Sequence, residues 1–244
     1  MQRRSFIKKS GATGIALSII PNLLLAQENP YSILELMGKV DIDLFGEGIN
    51  LREEAHDAFV SMKKAAYLDG IDLKIVSSYR NFYRQEAIFE RKYLNNTEEK
   101  GMEPLAAIDK IIEYSTIPGT SRHHWGTDID IIDGYRKTEG DVLVPEKFEA
   151  GGPFEDFKKW MDENANEYGY YLVYTDSPKR RGFKYEPWHY SYAPLSKPML
   201  EAFRGKNIVQ LLQQEEFLGA EHFTIGFLKN YIQNNILDIN RALL

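Results

Sequence analysis

One stretch of the chain decides its fold and its chemistry: Ser121-Arg122-His123-His124-Trp125-Gly126-Thr127-Asp128-Ile129-Asp130. A second fragment further along the chain is Glu186-Pro187-Trp188-His189. Together the two fragments hold three of the five histidines of the chain, and they add three carboxylates, which is far from an even scatter. Neutral imidazole and carboxylate groups are the ligands of catalytic Zn²⁺, which typically keeps three protein ligands and leaves a fourth position for water. The clustering therefore predicts a metal site.

The residues after Gly126 alternate between polar and apolar side chains, which is typical of a short strand. Side chains two positions apart on a strand share a face, so Asp128 and Asp130 are expected to point to the same side. The preceding loop is rich in glycine, serine and threonine and can bring His123 back over that face. An imidazole and a carboxylate are then within reach of one ion, and both aspartates are candidate ligands.

Pro187 determines how the second fragment is folded. Proline excludes a regular helix or a central strand through residues 186–189, so Glu186 and His189 need not follow helical or strand parity. A turn can direct both side chains towards the ion. We expect His189 to complete the ligand set and Glu186 to act as general base, because a base must lie near the proton that it removes. The chain has no cysteine, which excludes a thiolate metal site and a cysteine nucleophile.

The spacing of these residues resembles that of VanY-type D-alanyl-D-alanine carboxypeptidases. Their signature, Ser-x-His-x-x-Gly-x-Ala-x-Asp followed by Glu-x-x-His, is matched from Ser121 to Asp130 and from Glu186 to His189, apart from its alanine. That family belongs to a larger group of zinc peptidases that includes lysostaphin-like enzymes and the hedgehog signalling domain. The resemblance, which runs from about residue 51 to about residue 192, implies one Zn²⁺ ion. It implies His123, Asp130 and His189 as the ligands of this ion and Glu186 as the catalytic base.

A third family feature is a Ser-x-Tyr-Arg segment, which appears here as Ser77-Ser78-Tyr79-Arg80. In the family this arginine faces the substrate, so the resemblance implies that Arg80 binds substrate and takes part in catalysis. A guanidinium suits a terminal carboxylate because its planar fork bonds both oxygens at once. Tyr79, Ser121 and Gln85, which lies a turn beyond the arginine, are expected to contact substrate as well.

Three residues of the first fragment have other expected roles. Asp128 stands where the family usually has alanine, and we expect it to orient a ligand or the water rather than to bind the metal. Asp128→Ala is accordingly expected to affect zinc binding less than loss of Asp130. Trp125 is expected to pack under the loop. His124 is expected to support the site or to be exposed, and not to be a ligand.

The flanking patterns predict an α+β fold in which a small antiparallel sheet carries the zinc site and helices flank it. Helices are predicted over residues 51–68 with Asn50 as N-cap, 83–94, 104–114, 154–168 and from 194 onward. Strands are predicted over residues 72–77, 127–131, 170–174 and 188–192. Arg80 then lies at a strand-to-helix turn, and the polar residues 133–152 form an excursion at the rim of the cleft.

Residues 1–26 do not resemble part of a fold. Paired arginines at Arg3 and Arg4, a short apolar run and a small residue at its end are typical of an export signal of the twin-arginine type. An ordinary secretory signal and an uncleaved membrane anchor are the alternatives. The run contains Gly14 and Pro21 and is short against the roughly 20 apolar residues of a spanning helix. We therefore expect cleavage, no stable membrane span, and a mature protein in the periplasm or cell envelope of a bacterium.

Charge and length limit the remaining possibilities. Removing residues 1–26, which carry four basic side chains and no acid, leaves 26 basic against 36 acidic residues, a formal net charge of −10. An acidic chain without basic runs does not fit nucleic-acid binding, where neutralisation of phosphates dominates affinity. The rest of the chain is long enough for one domain, and we expect a monomer. The predicted boundaries are a lead-in over 27–50, a zinc peptidase domain over 51–205 and a helical extension packed on it over 206–244.

Two classes of function fit the motifs. As an enzyme, the protein is expected to remove the C-terminal D-amino acid from peptidoglycan stem peptides, as a D,D- or an L,D-carboxypeptidase. A peptidoglycan endopeptidase and a D,D-dipeptidase of the same group are alternatives within this class. As a binding module, it keeps the fold and the zinc without turnover. Glu186 favours an enzyme, because a module that only binds has no use for a base.

Overall fold

The computed structural model of the protein describes residues 30–244, so the predicted export signal lies outside the described residues. Four short strands form one antiparallel sheet in the order β1-β2-β4-β3. They are β1 (Leu73–Ser77), β2 (Asp128–Asp133), β3 (Tyr170–Leu172) and β4 (His189–Tyr192). Because β2 and β4 are neighbours, Asp130 pairs directly with His189. The register of the sheet thus brings the two histidine-containing fragments together.

Helices surround this sheet in the described part of the chain. They are α1 (Ile33–Leu36), α2 (Glu53–Leu68), α3 (Phe82–Leu94), α4 (Pro104–Ile111), α5 (Glu155–Asn164), α6 (Ala193–Arg204), α7 (Ile208–Leu212) and α8 (Ile225–Tyr231). Single π-helical turns continue two of them, at Asn95–Glu99 after α3 and at Ile232–Ile236 after α8. The predicted α+β class with a small antiparallel sheet is confirmed. Within residues 30–244, every helix is too short or too polar to cross a membrane.

Two apolar cores hold these elements. In the first, α2 and α5 contribute buried side chains such as Phe59 and Phe157, which pack with Ile129 and Ile131 of β2. The second core joins α3, α4, α6 and residues 206–244, with the rings of Phe89, Phe203, Phe223 and Tyr231 buried in it. Burial of an aromatic side chain of this kind stabilises the fold by roughly 1.5–3 kcal/mol. Both cores therefore contain residues that flank the two histidine-containing fragments.

Several predicted boundaries differ from the structure. The helix predicted over residues 51–68 begins at Glu53, because Leu51 pairs with Phe45 in an isolated β-bridge and Asn50 has a positive φ of 51°. The strand predicted over 170–174 ends at Leu172. The helix predicted over 104–114 ends at Ile111, and the one over 154–168 continues from α5 only as a 3₁₀ turn. The sequence pattern shows amphipathic faces but not the tertiary hydrogen bonds that end an element.

The C-terminal extension forms hydrogen bonds with two segments that flank the histidine-containing fragments. The hydroxyl of Tyr231 lies 2.8 Å from Oγ1 of Thr120 and accepts a hydrogen bond from the backbone N–H of Ile117 at 3.0 Å. The backbone N–H of Asn240 donates to the carbonyl of Val173 at 2.9 Å, which removes an acceptor from β3 where that strand stops. The extension thus supports the loop before the first fragment and the strand beside the second.

Gly182 marks a close approach between this extension and the loop before Glu186. A Cβ at Gly182 would lie 1.8 Å from the carbonyl oxygen of Asn234 and 2.6 Å from its carbonyl carbon. Backbone cannot give way as a flexible side chain does, so Gly182→Ala is expected to lower the free energy of unfolding by about 1–3 kcal/mol or more. Chemical denaturation measures this loss. Gly205→Ala is the matched control, because its nearest contact is an ordinary 3.4 Å, and an equal effect of both substitutions would contradict the close approach.

Candidate metal centre

Three side chains of the described residues lie close enough together to hold one metal ion. His123, Asp130 and His189 offer ligand atoms that all lie within 4.8 Å of one another. Nε2 of His123 is 3.4 Å from one carboxylate oxygen of Asp130, and Nδ1 of His189 is 3.9 Å from the other. Two ligand atoms that are each about 2.1 Å from a tetrahedral ion lie about 3.4 Å apart, so this separation suits a shared Zn²⁺.

The local structure explains how the three ligands meet. His123 lies in a 3₁₀ turn, Arg122–Trp125, which ends at Gly126 with a φ of 68° and leads directly into β2. Asp130 follows in β2, and His189 is the first residue of β4, opposite Asp130 in the sheet register. The two imidazole rings stack with their centroids 4.7 Å apart. Sheet pairing and one tight turn therefore place all three groups without any long flexible loop.

In both histidines, the ring nitrogen that points away from the shared position has a hydrogen-bond partner. Nδ1 of His123 lies 2.8 Å from the carbonyl oxygen of Ser78, and Nε2 of His189 lies 3.0 Å from the carboxylate of Asp128. Both partners accept, so these nitrogens donate. The opposite nitrogens, Nε2 of His123 and, after loss of its proton, Nδ1 of His189, are then the atoms that can bind a metal ion. Oδ1 of Asp130 is buried there, and no group in residues 30–244 donates a hydrogen bond to it. The donor set and its unpaired oxygen fit a divalent cation.

Asp128 lies outside this ligand set. It is fully buried, and its carboxylate accepts hydrogen bonds from Arg122 Nε at 2.8 Å, Thr127 Oγ1 at 2.8 Å and Ser191 Oγ at 2.7 Å, in addition to His189. Burial alone would raise the pKa of Asp128, but Arg122 and His189 hold this pKa well below its usual value. The geometry thus favours Asp130 as the ligand and gives Asp128 the task of orienting the His189 ring.

Glu186 lies beside the ligand atom of His189. Its Oε2 is 2.9 Å from Nδ1 of His189, and the backbone N–H of His189 donates to the Glu186 carbonyl at 3.1 Å, which closes the turn at Pro187. Burial raises the pKa of Glu186, and the hydrogen bond with His189 opposes this rise. Burial alone would lower the pKa of His189, but Asp128 and Glu186 raise it to about 10. A buried carboxylate with a raised pKa next to the cation position is suited to general-base catalysis.

The turn that carries Arg80 is attached to the same loop. The backbone N–H of Arg80 donates to the His123 carbonyl at 3.1 Å, and the Arg80 carbonyl accepts from Nδ1 of His124 at 2.6 Å. Nε2 of His124 accepts in turn from the backbone N–H of Gly119 at 3.2 Å. Burial lowers the pKa of His124 to about 3, so the ring is neutral and can fill both roles. His124 is thus a buried support of the site, and the expected alternative of an exposed ring is wrong.

A cleft of about 500 Å³ opens over the three ligands. Arg80, Ser121 and Thr116 line it, and within the described residues the buried Arg80 Nε, Ser121 Oγ and Thr116 Oγ1 have no hydrogen-bond partner. Burial lowers the pKa of Arg80, and the nearby carboxylates of Asp130 and Glu186 oppose this shift. Unpaired buried donors are rare, because each costs desolvation free energy unless something binds to it. This part of the cleft is therefore suited to hold an anionic group beside the metal position.

Two residues that the sequence assigns to substrate contact do not reach the cleft. Gln85 is fully buried behind its wall, where Nε2 donates to the Thr116 carbonyl at 2.9 Å. Tyr79 is half-buried, and its pKa is raised by burial and by the nearby Asp41. Neither lines the cavity. The structure thus gives Gln85 a role in holding the cleft wall rather than in touching a ligand, and Tyr79 has no contact with the cavity.

The residues predicted as an excursion at the rim do border the cleft. Five of them line it: Asp141, Leu143, Val144, Pro145 and Glu146. The lining also includes the buried rings of Tyr174, Phe183 and Trp188. The cleft thus combines charged and polar groups with apolar rings, as small-ligand sites do.

Comparison with known proteins agrees with this geometry. Residues 48–195, more than half of the chain, match the family model VanY, described as D-alanyl-D-alanine carboxypeptidase. The chain belongs to the VanY family. The three candidate metal ligands, Glu186 and Arg80 lie inside the matched residues, and α7 and α8 lie beyond them.

Curated relatives include members from several bacteria. The chain is 31% identical over 177 residues to YodJ of Bacillus subtilis, an alignment that covers 71% of this chain and 53% of YodJ. It is 33% identical over 107 residues to an uncharacterized protein of Haemophilus influenzae, covering 43% of this chain and 82% of that protein. A D-alanyl-D-alanine carboxypeptidase of Enterococcus faecium is 27% identical over 215 residues, covering 85% of this chain and 60% of the relative. The chain thus spans little more than half of YodJ.

Solved structures of VanY proteins share the fold. VanYB in complex with D-alanine-D-alanine superposes with a TM-score of 0.52 at 22% identity, covering 73% of this chain and 92% of VanYB. A mutant of the vancomycin-resistance D,D-pentapeptidase VanY in complex with Zn(II) gives a TM-score of 0.51 at 23% identity, covering 72% and 90%. At these identities the likeness shows the VanY fold.

Proposed function

We propose that this VanY protein is a zinc-dependent carboxypeptidase that removes the C-terminal D-amino acid from peptidoglycan stem peptides. The observation that carries the proposal is the convergence of three ligands, an adjacent buried base and an unpaired arginine in one cleft. The family match, the Enterococcus faecium relative and the zinc-bound mutant support the reaction class and the metal. Export to the periplasm or cell envelope is part of the proposal, because that is where such a substrate lies.

We assign a separate role in peptide hydrolysis to each of these side chains. His123, Asp130 and His189 would hold a Zn²⁺ ion, which would supply Lewis acidity and lower the pKa of a water molecule to about 7. Glu186 takes the proton from the attacking water and returns it to the leaving amine. Asp128 holds the His189 ring in position through its Nε2–H. Arg80 binds the terminal carboxylate, and the hydroxyl of Ser121 is a further donor within the same cleft.

The alternatives differ in what they require of the cleft. An endopeptidase of the same group has no terminal carboxylate to bind, so an unpaired Arg80 favours a carboxypeptidase. A module that only binds zinc does not need Glu186 next to the ligand atom of His189. Mass spectrometry of defined stem pentapeptides and tetrapeptides, after incubation with the zinc-loaded protein, separates D,D- from L,D-carboxypeptidase activity and detects loss of a dipeptide. If every peptide stays intact while the protein is zinc-replete, the proposal fails.

Arg80→Ala is expected to lower kcat/KM for a free-acid peptide by at least an order of magnitude. The charged hydrogen bonds that it removes are worth about 1.5–3 kcal/mol each. Amidation of the substrate's C-terminus should cause a comparable loss in the wild type, and the two changes together should be less than additive because they remove the same interaction. Steady-state kinetics on the four combinations of enzyme and peptide measure this coupling.

Arg84→Ala is the matched control for this cycle. Arg84 lies one turn further along, is exposed and does not line the cleft, so its loss removes the same charge from a nearby position. Its kcat/KM should stay within about twofold of the wild type, as for an exposed surface change. Equal cleavage of amidated and free-acid peptides by the wild type would show that Arg80 is not a carboxylate anchor, and the endopeptidase alternative would then be favoured.

A further inference from the structure

Lys92 is a basic side chain of the cleft to which the proposed reaction gives no role. It lies near the end of α3, the helix that begins just after Arg80, and it lines the same cavity as Arg80 and Glu186. Ile88, one turn earlier on the same helix face, lines the cavity too. Helical side chains lean towards the helix N-terminus, so the stem of Lys92 runs over Ile88 in the direction of the metal position.

Lys92 has no hydrogen bond or ion pair with any described residue. The lysines around it do have partners: Lys100 donates to Asn96, and Lys110 and Lys184 both pair with Glu113. Lys92 is also withdrawn from solvent, and burial lowers its pKa, with Arg80 adding to the effect. An ammonium that loses water without gaining a partner costs free energy, so a position of this kind is typical of a binding site.

The acidic groups of the cleft do not pair with Lys92. Asp130 and Glu186 face the metal position, and Asp141 and Glu146 are exposed at the rim, where Oδ1 of Asp141 accepts from the Leu143 backbone N–H. No carboxylate of residues 30–244 lies within ion-pair distance of the Lys92 ammonium. The whole chain has a net charge of −6, so an overall excess of basic residues does not explain two unpaired cations in one cleft.

The length of α3 separates the two cations. Arg80 precedes the helix and Lys92 lies three turns into it, which corresponds to about 15 Å along the axis before the side chains lean back. Arg80 contributes to the lowered pKa of Lys92, so the two side chains approach each other over part of this distance. A carboxylate that Arg80 binds through both of its oxygens is, however, already fully paired. If Arg80 binds the terminal carboxylate, the anion that Lys92 fits is a different group on the same substrate. A single ammonium matches a single negative charge.

We propose that Lys92 binds a second carboxylate of the substrate, carried on the side chain of the residue that precedes the cleaved D-amino acids. The inference rests on the proposed carboxypeptidase function and specifies its substrate class. Stem peptides whose third residue has a free side-chain carboxylate are preferred over those in which the same group is a carboxamide. Lys92 is thus a specificity-determining residue and takes no part in bond breaking.

The test uses two stem peptides that differ at one group. Both end in D-alanine, and their third residue is diaminopimelate with its side-chain carboxyl either free or amidated. The wild type should show at least a tenfold higher kcat/KM for the free-carboxyl peptide, mainly through KM. Lys92→Met should bring this ratio close to one by lowering kcat/KM for the free-carboxyl peptide, and Lys92→Arg should restore part of it. Lys92→Gln serves as a second neutral variant if Lys92→Met does not fold.

Arg91→Met is the matched control. Arg91 is the preceding residue of the same helix, exposed and outside the cleft, so its loss removes an equal charge from a neighbouring position. This variant should keep the wild-type ratio. Equal kcat/KM of the wild type for both peptides, or an unchanged ratio in Lys92→Met, would overturn the role of Lys92 and leave the carboxypeptidase function intact. If zinc-loaded wild type cleaves neither peptide, the proposed function itself fails, and equal calorimetric affinities for the two peptides then overturn the role of Lys92 as well.

Discussion

His189→Ala is expected to abolish stoichiometric Zn²⁺ binding, and His123→Ala and Asp130→Ala should do the same. The proposed site has only three protein ligands, whose atoms lie within 4.8 Å of one another, so the loss of any one would leave two protein contacts to the ion. Activity should fall with the metal. Metal analysis after dialysis, together with competition against a chromogenic chelator, measures the loss.

Asp128 provides the matched comparison for the ligands. Its carboxylate touches His189 but not the shared position, so Asp128→Asn should weaken zinc binding by about 10–100-fold rather than abolish it. Asp128→Ala has a further cost that the motif does not show, because it leaves the buried guanidinium of Arg122 without its counter-ion. Breaking a buried pair in this way costs about 3–5 kcal/mol of stability. If Asp128→Ala abolishes zinc binding while Asp130→Ala retains it, the ligand assignment is wrong.

The sequence was informative about the candidate metal site because the residues that form it lie in two short fragments of the chain. The alternation after Gly126 predicted a strand, and the proline at Pro187 predicted a turn, and the structure has both. What the sequence could not show is which nitrogen of each imidazole faces the ion. That depends on the Ser78 carbonyl and the Asp128 carboxylate, whose positions follow from the pairing of β2 with its neighbours.

The substrate side of the cleft was less predictable. Tyr79 and Gln85 belong to a recognisable segment, but Gln85 is buried against the Thr116 carbonyl and does not reach the cavity. Lys92 lies seven positions later on nearly the same helix face, and it does line the cleft. This signal was present in the sequence as helical periodicity. It becomes interpretable only when the wall that α3 forms is known.

The C-terminal extension shows a second limit of prediction from the sequence. Tyr231 hydrogen-bonds the loop before the first fragment, although more than a hundred residues separate them. The amphipathic pattern of the tail predicted packing on the domain, but a pattern of apolar positions does not identify a hydroxyl as the partner of a specific backbone N–H. Only the three-dimensional arrangement assigns the tail a task near the site.

Glu186→Gln is expected to keep the metal and to lose turnover by about 10²–10⁴-fold, the usual contribution of a general base. The substitution preserves the size of the side chain and replaces the oxygen that accepts a proton with an amide, which cannot accept one. The three proposed ligands are unchanged by this substitution, because Glu186 is not one of them. Kinetics of D-alanine release, with metal content measured on the same samples, separate loss of the base from loss of the ion.

Glu146→Gln is the control for this substitution, because Glu146 is a carboxylate that lines the same cleft but is exposed at its rim. It should retain turnover within about twofold, which shows that removal of a negative charge from the cleft is not sufficient for the effect. A metal-replete Glu186→Gln protein with near-normal turnover would mean that another group accepts the proton. The only other carboxylate of the described residues at the metal position is Asp130, and it cannot serve as ligand and base at once. In that case the assignment of Glu186 as the general base would be wrong.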